Sequence, residues 1–153
     1  MKSSLLQACF LLLLPTFFIG ARLPDAADEG ILSVVVNNIQ TPKGSIRVAI
    51  YNSAATFLDA KRYAFIGHIE VGNNKSIRLD FKMPYGTYAA TCYHDINDDH
   101  NLDKSTLGFP EEPYALSNNP SVKWRRPSFD ETKFAFRQPA QTISLTLRKW
   151  KDR

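Results

Sequence analysis

The 153-residue sequence contains only two cysteines, and this scarcity limits how the folded chain can be stabilised. Cys9 lies in an apolar stretch near the start, so the remainder of the chain has Cys92 alone. A single cysteine cannot form an intramolecular disulfide, even in an oxidising compartment. Cys92 lies in the apolar run 88–93, where a cysteine usually packs as a small hydrophobic residue. We therefore expect stability to come from a hydrophobic core that includes Cys92.

Long apolar runs are also scarce, and the longest mostly apolar stretch lies at the start of the sequence. A basic residue precedes a mostly apolar stretch at residues 5–19, which ends in Gly20-Ala21. This order is typical of a signal peptide, here residues 1–21. A membrane anchor is the alternative, but Pro15 interrupts a run that is already short for a span of about 20 residues. A lipoprotein would need Cys9 as the acylated residue, but Cys9 lies inside the apolar stretch, with almost none of that stretch ahead of it. We expect cleavage, no membrane span afterwards, and a periplasmic or secreted protein.

A strong excess of one charge is absent as well. The chain has 19 Lys and Arg against 15 Asp and Glu, a formal net charge of +4, and removal of the signal peptide lowers this value by one. The basic residues are scattered, with short clusters at residues 123–126 and 148–151 that we interpret as solvated ends of strands or loops. A nucleic-acid-binding protein usually concentrates them on one face. We therefore expect no nucleic-acid partner.

No convincing helical period occurs, and from Ile31 onward short β-branched runs alternate apolar and polar residues. Runs of this kind, separated by Gly, Pro, Asn and Asp, are typical of strands. Seven strands are predicted, at residues 31–36, 45–51, 66–71, 77–82, 87–93, 134–136 and 143–147. Turns at residues 41–44 and 72–74 predict that the first two strands form one hairpin and the next two a second.

One-sided sheets must bury their apolar faces against each other, so seven such strands predict an all-β domain. We expect a seven-stranded antiparallel immunoglobulin-like or transthyretin-like β-sandwich over residues 31–150, preceded by a polar lead-in at residues 22–30. The domain has one long loop, from residue 95 to residue 132, which greatly exceeds the usual length of about 4–6 residues. Long loops of this kind are often functional, so the site is expected there.

Oxygen-bearing side chains recur at every second position at the start of that loop. They are Asp95, Asn97, Asp99, Asn101 and Asp103. Calcium takes six to eight oxygen ligands, and this D-x-N-x-D spacing suits a calcium loop. The match to an EF-hand is partial, because His100 replaces the usual glycine and Thr106 the usual bidentate glutamate. Glu111 or Glu112 could supply a further carboxylate. Asp and Asn also favour turns without any metal, which is the alternative.

Two other kinds of site in this segment are weaker predictions. His94 and His100 could bind zinc or copper, although a compact third His or Cys ligand is lacking. A hydrolase could use residues of the 94–130 segment, but no nucleophile motif is present. His94 and Asp95 are adjacent on a strand, so their side chains should point to opposite faces and not act as a base with its orienting group. We expect the protein not to be an enzyme.

A binding or structural role is the first hypothesis, with an unknown protein or carbohydrate ligand. The residues that the long loop would present to it are Tyr114, Ser117, Asn118, Asn119 and Trp124. Aromatic and amide side chains suit such recognition, although aromatic residues such as Trp124 and Phe129 more often fasten a loop onto the core. Strand pairing through an exposed sheet edge is a further possibility.

Several motifs in a fixed order resemble one known family. They are the strand 44–52, the segment Tyr85-Gly86-Thr87-Tyr88-Ala89, the sequence His94-Asp95-Ile96-Asn97, the segments 107–114 and 117–119, and Pro127-Ser128-Phe129-Asp130. Together they resemble an uncharacterised exported bacterial family, domain of unknown function 2141, over nearly the whole mature chain. The resemblance implies a signal peptide, a sandwich domain and an acidic loop of the form H-D-x-N-x-[ND]-x-x-L-D. The family usually has glycine where this chain has His100. No activity is implied.

Overall fold

A computed structural model describes residues 28–121 and 125–152, so the predicted signal peptide, residues 22–27 of the lead-in and Trp124 lie outside the described residues. The strands are β1 (Glu29–Asn37), β2 (Ser45–Tyr51), β3 (Phe65–Glu70), β4 (Ser76–Pro84), β5 (Gly86–Asp95), β6 (Tyr114–Leu116), β7 (Phe134–Phe136) and β8 (Ala140–Thr146). One short helix, α1 (Phe129–Thr132), and a 3-10 turn at Trp150–Asp152 complete the described elements. The predicted all-β class is confirmed, with eight strands in place of seven.

The strands form two sheets. The smaller has the order β4-β1-β8, and the larger has the order β3-β2-β5-β6, with β7 also paired to β5. The pair β1–β8 is parallel, with Val34 opposite Ile143. The prediction of a purely antiparallel fold is therefore wrong at this pair, because β8 returns from the larger sheet to the far side of β1. β3 lies at one end of the larger sheet, and β4 and β8 lie at the ends of the smaller.

A hydrophobic core lies between the sheets, built largely from alternate residues of the longer strands. Ile46, Val48 and Ile50 of β2 are fully buried, as the period of two predicted. The buried residues of β1 are Leu32, Val34 and Val36. Cys92 is also buried, which confirms its expected place in the core. Burial raises the pKa of its thiol to about 12. The thiol is therefore a packing group.

Both predicted hairpins are wrong. β1 pairs with β4 and β8, whereas β2 pairs with β3 and β5, so the consecutive strands belong to different sheets. The connections explain this difference, because each carries an apolar side chain into the core: Ile39 follows β1, and Val71 follows β3. A tight hairpin turn would expose such residues. The chain instead crosses between the sheets at these points, and Val71 N–H donates to the Gly44 carbonyl at 3.0 Å.

The two short strands β6 and β7 share one edge of β5. β6 pairs with Thr91–Tyr93 near the end of β5, while β7 pairs with Gly86–Tyr88 near its start. β6 was not predicted, since three residues are too few to show a period of two. Its pairing shortens the predicted long loop and divides it into the acidic segment before β6 and the segment that contains α1 after it.

Candidate functional site

The acidic loop begins at the end of β5, where Asp95 is fully buried. Its Oδ2 accepts a hydrogen bond at 2.8 Å from Nε of Arg47, which lies on the neighbouring strand β2. The same carboxylate accepts the backbone N–H groups of Asp99, at 3.2 Å, and His100, at 3.0 Å. Asp95 therefore fixes the loop from its buried side, and both of its carboxylate oxygens accept hydrogen bonds from the protein.

Two residues of the loop adopt left-handed backbone dihedrals. Asp98 has φ 56° and His100 has φ 70°. Asp and His are among the non-glycine residues that tolerate this region best. His100 thus makes the turn at the position where calcium loops usually have glycine, so its presence does not prevent the tight turn. The exposed ring of His100 contacts the guanidinium of Arg47, which donates to Nδ1.

Three of the predicted metal ligands converge at the exposed side of the loop. The Asn97 amide nitrogen lies 3.2 Å from Oδ2 of Asp99 and 3.2 Å from Oδ2 of Asp103. Asn101 sits beside them and donates its backbone N–H to Oδ1 of Asp99 at 2.8 Å. Its own amide nitrogen donates to the Asp99 carbonyl at 2.9 Å. The five predicted residues thus divide into a buried support, Asp95, and four residues around the opening.

Glu112 closes the loop from its far end. Its side chain is buried, with Oε1 accepting the Ile96 N–H at 2.7 Å and Oε2 accepting the Asp103 N–H at 3.2 Å. Burial raises the pKa of Glu112, while these two backbone hydrogen bonds act in the opposite direction. The sequence left open whether Glu111 or Glu112 belongs to the loop. The structure places Glu112 there and leaves Glu111 exposed outside it.

Replacing Glu112 with glutamine should lower the free energy of unfolding by about 1–2 kcal/mol, because an amide has one acceptor oxygen and one buried N–H loses its partner. Urea denaturation of the two proteins measures this difference. The matched control is Glu111→Gln, the same chemical change at an exposed neighbour, which we expect to stay within about 0.5 kcal/mol of the parent. Equal effects of the two changes would contradict the role given to Glu112.

The described residues hold no group of three or more His, Cys, Asp and Glu side chains placed to bind a metal ion. His94 is buried, and its Nε2 donates to the Lys43 carbonyl at 2.7 Å. His100 instead faces Arg47 on the exposed side of the loop. The two histidines proposed for zinc or copper therefore face different partners. The oxygen set around Asn97 differs in kind, since it combines two carboxylates with an amide.

The side chains considered for a hydrolase are also engaged elsewhere. Ser128 is the N-cap of α1 and forms a capping box with Glu131. Ser105 accepts the Phe109 N–H at 3.3 Å. In residues 28–121 and 125–152, His94, Ser105, Ser117 and Ser128 form no hydrogen bond with one another.

The residues predicted to meet a ligand lie in and after β6. Tyr114 and Ser117 are buried, whereas Asn118 and Asn119 are exposed and have positive φ values of 59° and 45°. The Ser117 hydroxyl accepts the Ala90 N–H at 2.9 Å and donates to the Thr132 carbonyl at 2.6 Å, so it ties α1 to β5. A ligand can reach only the asparagines of this described group, and their contact with a partner stays a prediction.

Sequence reasoning missed Arg47 and Gly44, the two residues of the β2 region that position the acidic loop. Arg47 occupies a polar position in the alternating pattern of β2, and this position is typical of an ordinary surface residue. Gly44 has φ +71°, and a Cβ built on it would lie 1.9 Å from the Asp95 carbonyl oxygen. No signal in the sequence links either residue to Asp95, because their proximity depends on the pairing of β2 with β5.

Comparison with known proteins gives a single result. A family model described as an uncharacterized protein conserved in bacteria, DUF2141, matches residues 34–144, well over half of the chain. No curated protein and no solved structure matches. Among the described residues, no helix has the length and apolar character needed to cross a membrane. The matched range includes strands of both sheets and the entire acidic loop, and the chain belongs to the DUF2141 family.

Proposed function

We propose that the chain is an exported β-sandwich module whose acidic loop binds one calcium ion and which acts in binding or structure at the cell envelope. The observation that carries this proposal is the convergence of Asp99, Asp103 and Asn97 at one opening, with two carboxylate oxygens each 3.2 Å from the Asn97 amide nitrogen. The partial positive charge of the amide N–H₂ group lies between these two anions. A hard cation there would interact with the same oxygens more strongly.

The donor set fits calcium. Rotation of the Asn97 amide by half a turn would present its oxygen to the two carboxylates, and the nitrogen and oxygen of an amide are nearly equivalent in size. Asp99, Asp103 and Asn97 would then be side-chain ligands, with the Asn101 carbonyl and water completing a shell of six to eight oxygens. Asp95 supports this set from below, with its charge offset by Arg47. Because the protein supplies only a few of the ligands, we expect a site of the weak extracellular class, with Kd of about 10⁻⁴–10⁻³ M.

Export and the detailed fold are parts of the same proposal. Export is supported by the signal-peptide pattern of residues 1–21. An immunoglobulin-like or transthyretin-like sandwich is supported by two sheets around one core, with the chain crossing between them after β1, β3, β4 and β7. A calcium ion would link the ends of the acidic loop in a protein whose Cys92 is a buried free thiol. The exposed Asn118 and Asn119 would then contact a protein or carbohydrate partner, and Trp124 stays a predicted contributor to that contact.

Calorimetric titration of calcium into the chelator-treated protein starting at residue 22 tests the proposal. We expect binding with a Kd of about 10⁻⁴–10⁻³ M and, at tenfold that concentration, a gain of about 1.4 kcal/mol in the free energy of unfolding. The double variant Asp99→Asn/Asp103→Asn should lose both effects. It retains side chains of the same size and leaves Asp95 in place.

The matched control is Asp98→Asn, which removes one exposed carboxylate of the same loop. Asp98 Oδ1 accepts from the Ser45 hydroxyl at 3.0 Å, whereas the Asn97 amide nitrogen pairs with Asp99 and Asp103. This variant should bind calcium with nearly the affinity of the parent. Absence of heat and of any stability change at 10 mM calcium, or equal losses in the control and the double variant, would refute a calcium site at Asp99 and Asp103.

A further inference from the structure

An open cleft of ≈ 370 Å³ lies on the side of the acidic segment that faces the end of the described chain. One wall is the turn at residues 105–111, and the other is the segment 149–151. The turn is tight, because the Gly108 N–H donates to the Ser105 carbonyl at 2.8 Å and the Ser105 N–H donates to the Phe109 carbonyl at 2.9 Å. Gly108 has φ +81°, which glycine adopts without strain. The turn therefore presents Phe109 in a fixed position.

The opposite wall is also fixed to the domain. Arg148 and Tyr114 exchange two backbone hydrogen bonds, of 3.0 and 3.1 Å, so the segment after β8 is tied to β6. Trp150 then stacks on Phe109, with ring centroids 4.7 Å apart and an interplanar angle of 16°. Both rings are only half-buried. The two walls thus meet at an aromatic surface that remains partly open to solvent, in a cleft that is formed before any ligand arrives.

Charged groups surround this aromatic surface. Lys149 and Lys151 flank Trp150 in the sequence and are exposed, and neither forms an ion pair with another described side chain. Glu111 is exposed on the opposite wall, and Ser105 also lines the cleft. The cleft therefore combines an apolar platform, two ammonium groups, one carboxylate and one hydroxyl. Its size lies at the lower end of the range for small-molecule sites, about 300–1,000 Å³.

We propose that this cleft binds an acidic sugar residue of a glycan, of the uronic acid class. The apolar C–H face of a pyranose ring would pack on the Trp150 and Phe109 surface, which aromatic side chains offer at low conformational cost. The sugar carboxylate would pair with Lys149 and Lys151. Its hydroxyls would donate to Glu111 and share hydrogen bonds with Ser105. A uronic acid residue carries one carboxylate beside several neutral hydroxyls, and this separation of groups matches two ammonium groups on one wall of the cleft and a carboxylate and a hydroxyl on the other.

The inference goes beyond the proposed function, because it places a ligand at residues other than Asn118 and Asn119, and it does not depend on calcium. The acidic loop and the cleft share the segment 103–111, where the Glu111 N–H donates to the Asp103 carbonyl at 2.9 Å. Measurements both with calcium and with chelator separate the two ideas. If calcium does not bind but the glycan binds in the presence of chelator, the calcium proposal fails and the cleft proposal is supported.

Titration calorimetry with trigalacturonic acid tests the cleft directly, and its fully methyl-esterified form is the matched ligand without charge. We expect the acid to bind at millimolar concentration or below and the ester to bind at least about tenfold more weakly, equivalent to about 1.4 kcal/mol. Raising the salt concentration from 50 to 500 mM should weaken the acid alone. Equal affinity for acid and ester, or no binding of the acid at 10 mM, would overturn the proposal.

Two variants locate the binding. Lys149→Gln/Lys151→Gln changes only exposed side chains and should weaken the acid about tenfold while leaving the ester unchanged. Lys61→Gln/Lys75→Gln removes the same charge from exposed positions outside the cleft and should retain the affinity of the parent. Trp150→Ala should weaken both ligands. Equal affinities in the two lysine variants, with both folded by circular dichroism, would place the acidic sugar elsewhere and refute the cleft.

Discussion

Asp95→Ala is expected to lower the free energy of unfolding by about 3 kcal/mol, although it replaces a single side chain at the end of a strand. Asp95 is fully buried and pairs with Arg47, whose side chain is only 14% exposed. Removing the carboxylate leaves that guanidinium without its buried partner and also frees the N–H groups of Asp99 and His100. The ion pair and the two hydrogen bonds stabilise only the folded state, so their loss should add up to one large decrease in the free energy of unfolding.

Urea denaturation of Asp95→Ala and the parent, without added calcium, measures this loss. Asp98→Ala is the matched control in the same loop, since its exposed carboxylate accepts only the Ser45 hydroxyl at 3.0 Å. We expect the control to lose about 0.5–1 kcal/mol. A loss from Asp95→Ala no larger than that of the control would show that the buried ion pair contributes nothing net to the fold.

Gly44→Ala is expected to destabilise the protein by about 3 kcal/mol or more, through two causes that act together. The left-handed dihedral at φ +71° is unfavourable for alanine by roughly 1–2 kcal/mol. The added Cβ would also lie 1.9 Å from the Asp95 carbonyl oxygen and 2.8 Å from the Ile96 Cα. Both contacts are with backbone, so the end of β5 must move and the acidic loop must move with it.

Gly72→Ala separates the two causes. Gly72 also has a positive φ, +53°, but the nearest atom to a Cβ there is the Asn74 side-chain nitrogen at 3.9 Å. This control should lose only the dihedral cost of roughly 1–2 kcal/mol. Thermal or urea unfolding of both variants gives the comparison. Similar losses for Gly44→Ala and Gly72→Ala would contradict the close packing of β2 against the start of the loop.

The faces of the strands could be predicted from the sequence, whereas their partners could not. The alternation of Ile46, Val48 and Ile50 identifies the buried face because it depends only on neighbours along the chain. Pairing depends on the path of the connections. Ile39 and Val71 look like ordinary apolar residues beside turns, and only the structure shows that they enter the core and direct the chain across to the other sheet.

The candidate site shows the same division. The oxygen-rich spacing of the acidic loop is a local property, and Asn97, Asp99 and Asp103 do converge. The different role of Asp95 could not be predicted, because it depends on Arg47 from another strand. The stack of Phe109 and Trp150 likewise joins residues that lie 41 positions apart in the numbering and meet only once β6 has paired with the segment after β8.

The parallel pair of β1 and β8 has a consequence for when the protein can fold. β1 is the central strand of its sheet, and one of its two neighbours is the last strand of the described chain. The smaller sheet is therefore incomplete until β8 is present, and contacts so distant in sequence form slowly. A chain that lacks β8 leaves β1 without one of its two neighbours. Such delayed closure would suit the export that we propose, because a translocation channel admits a chain only before it becomes compact.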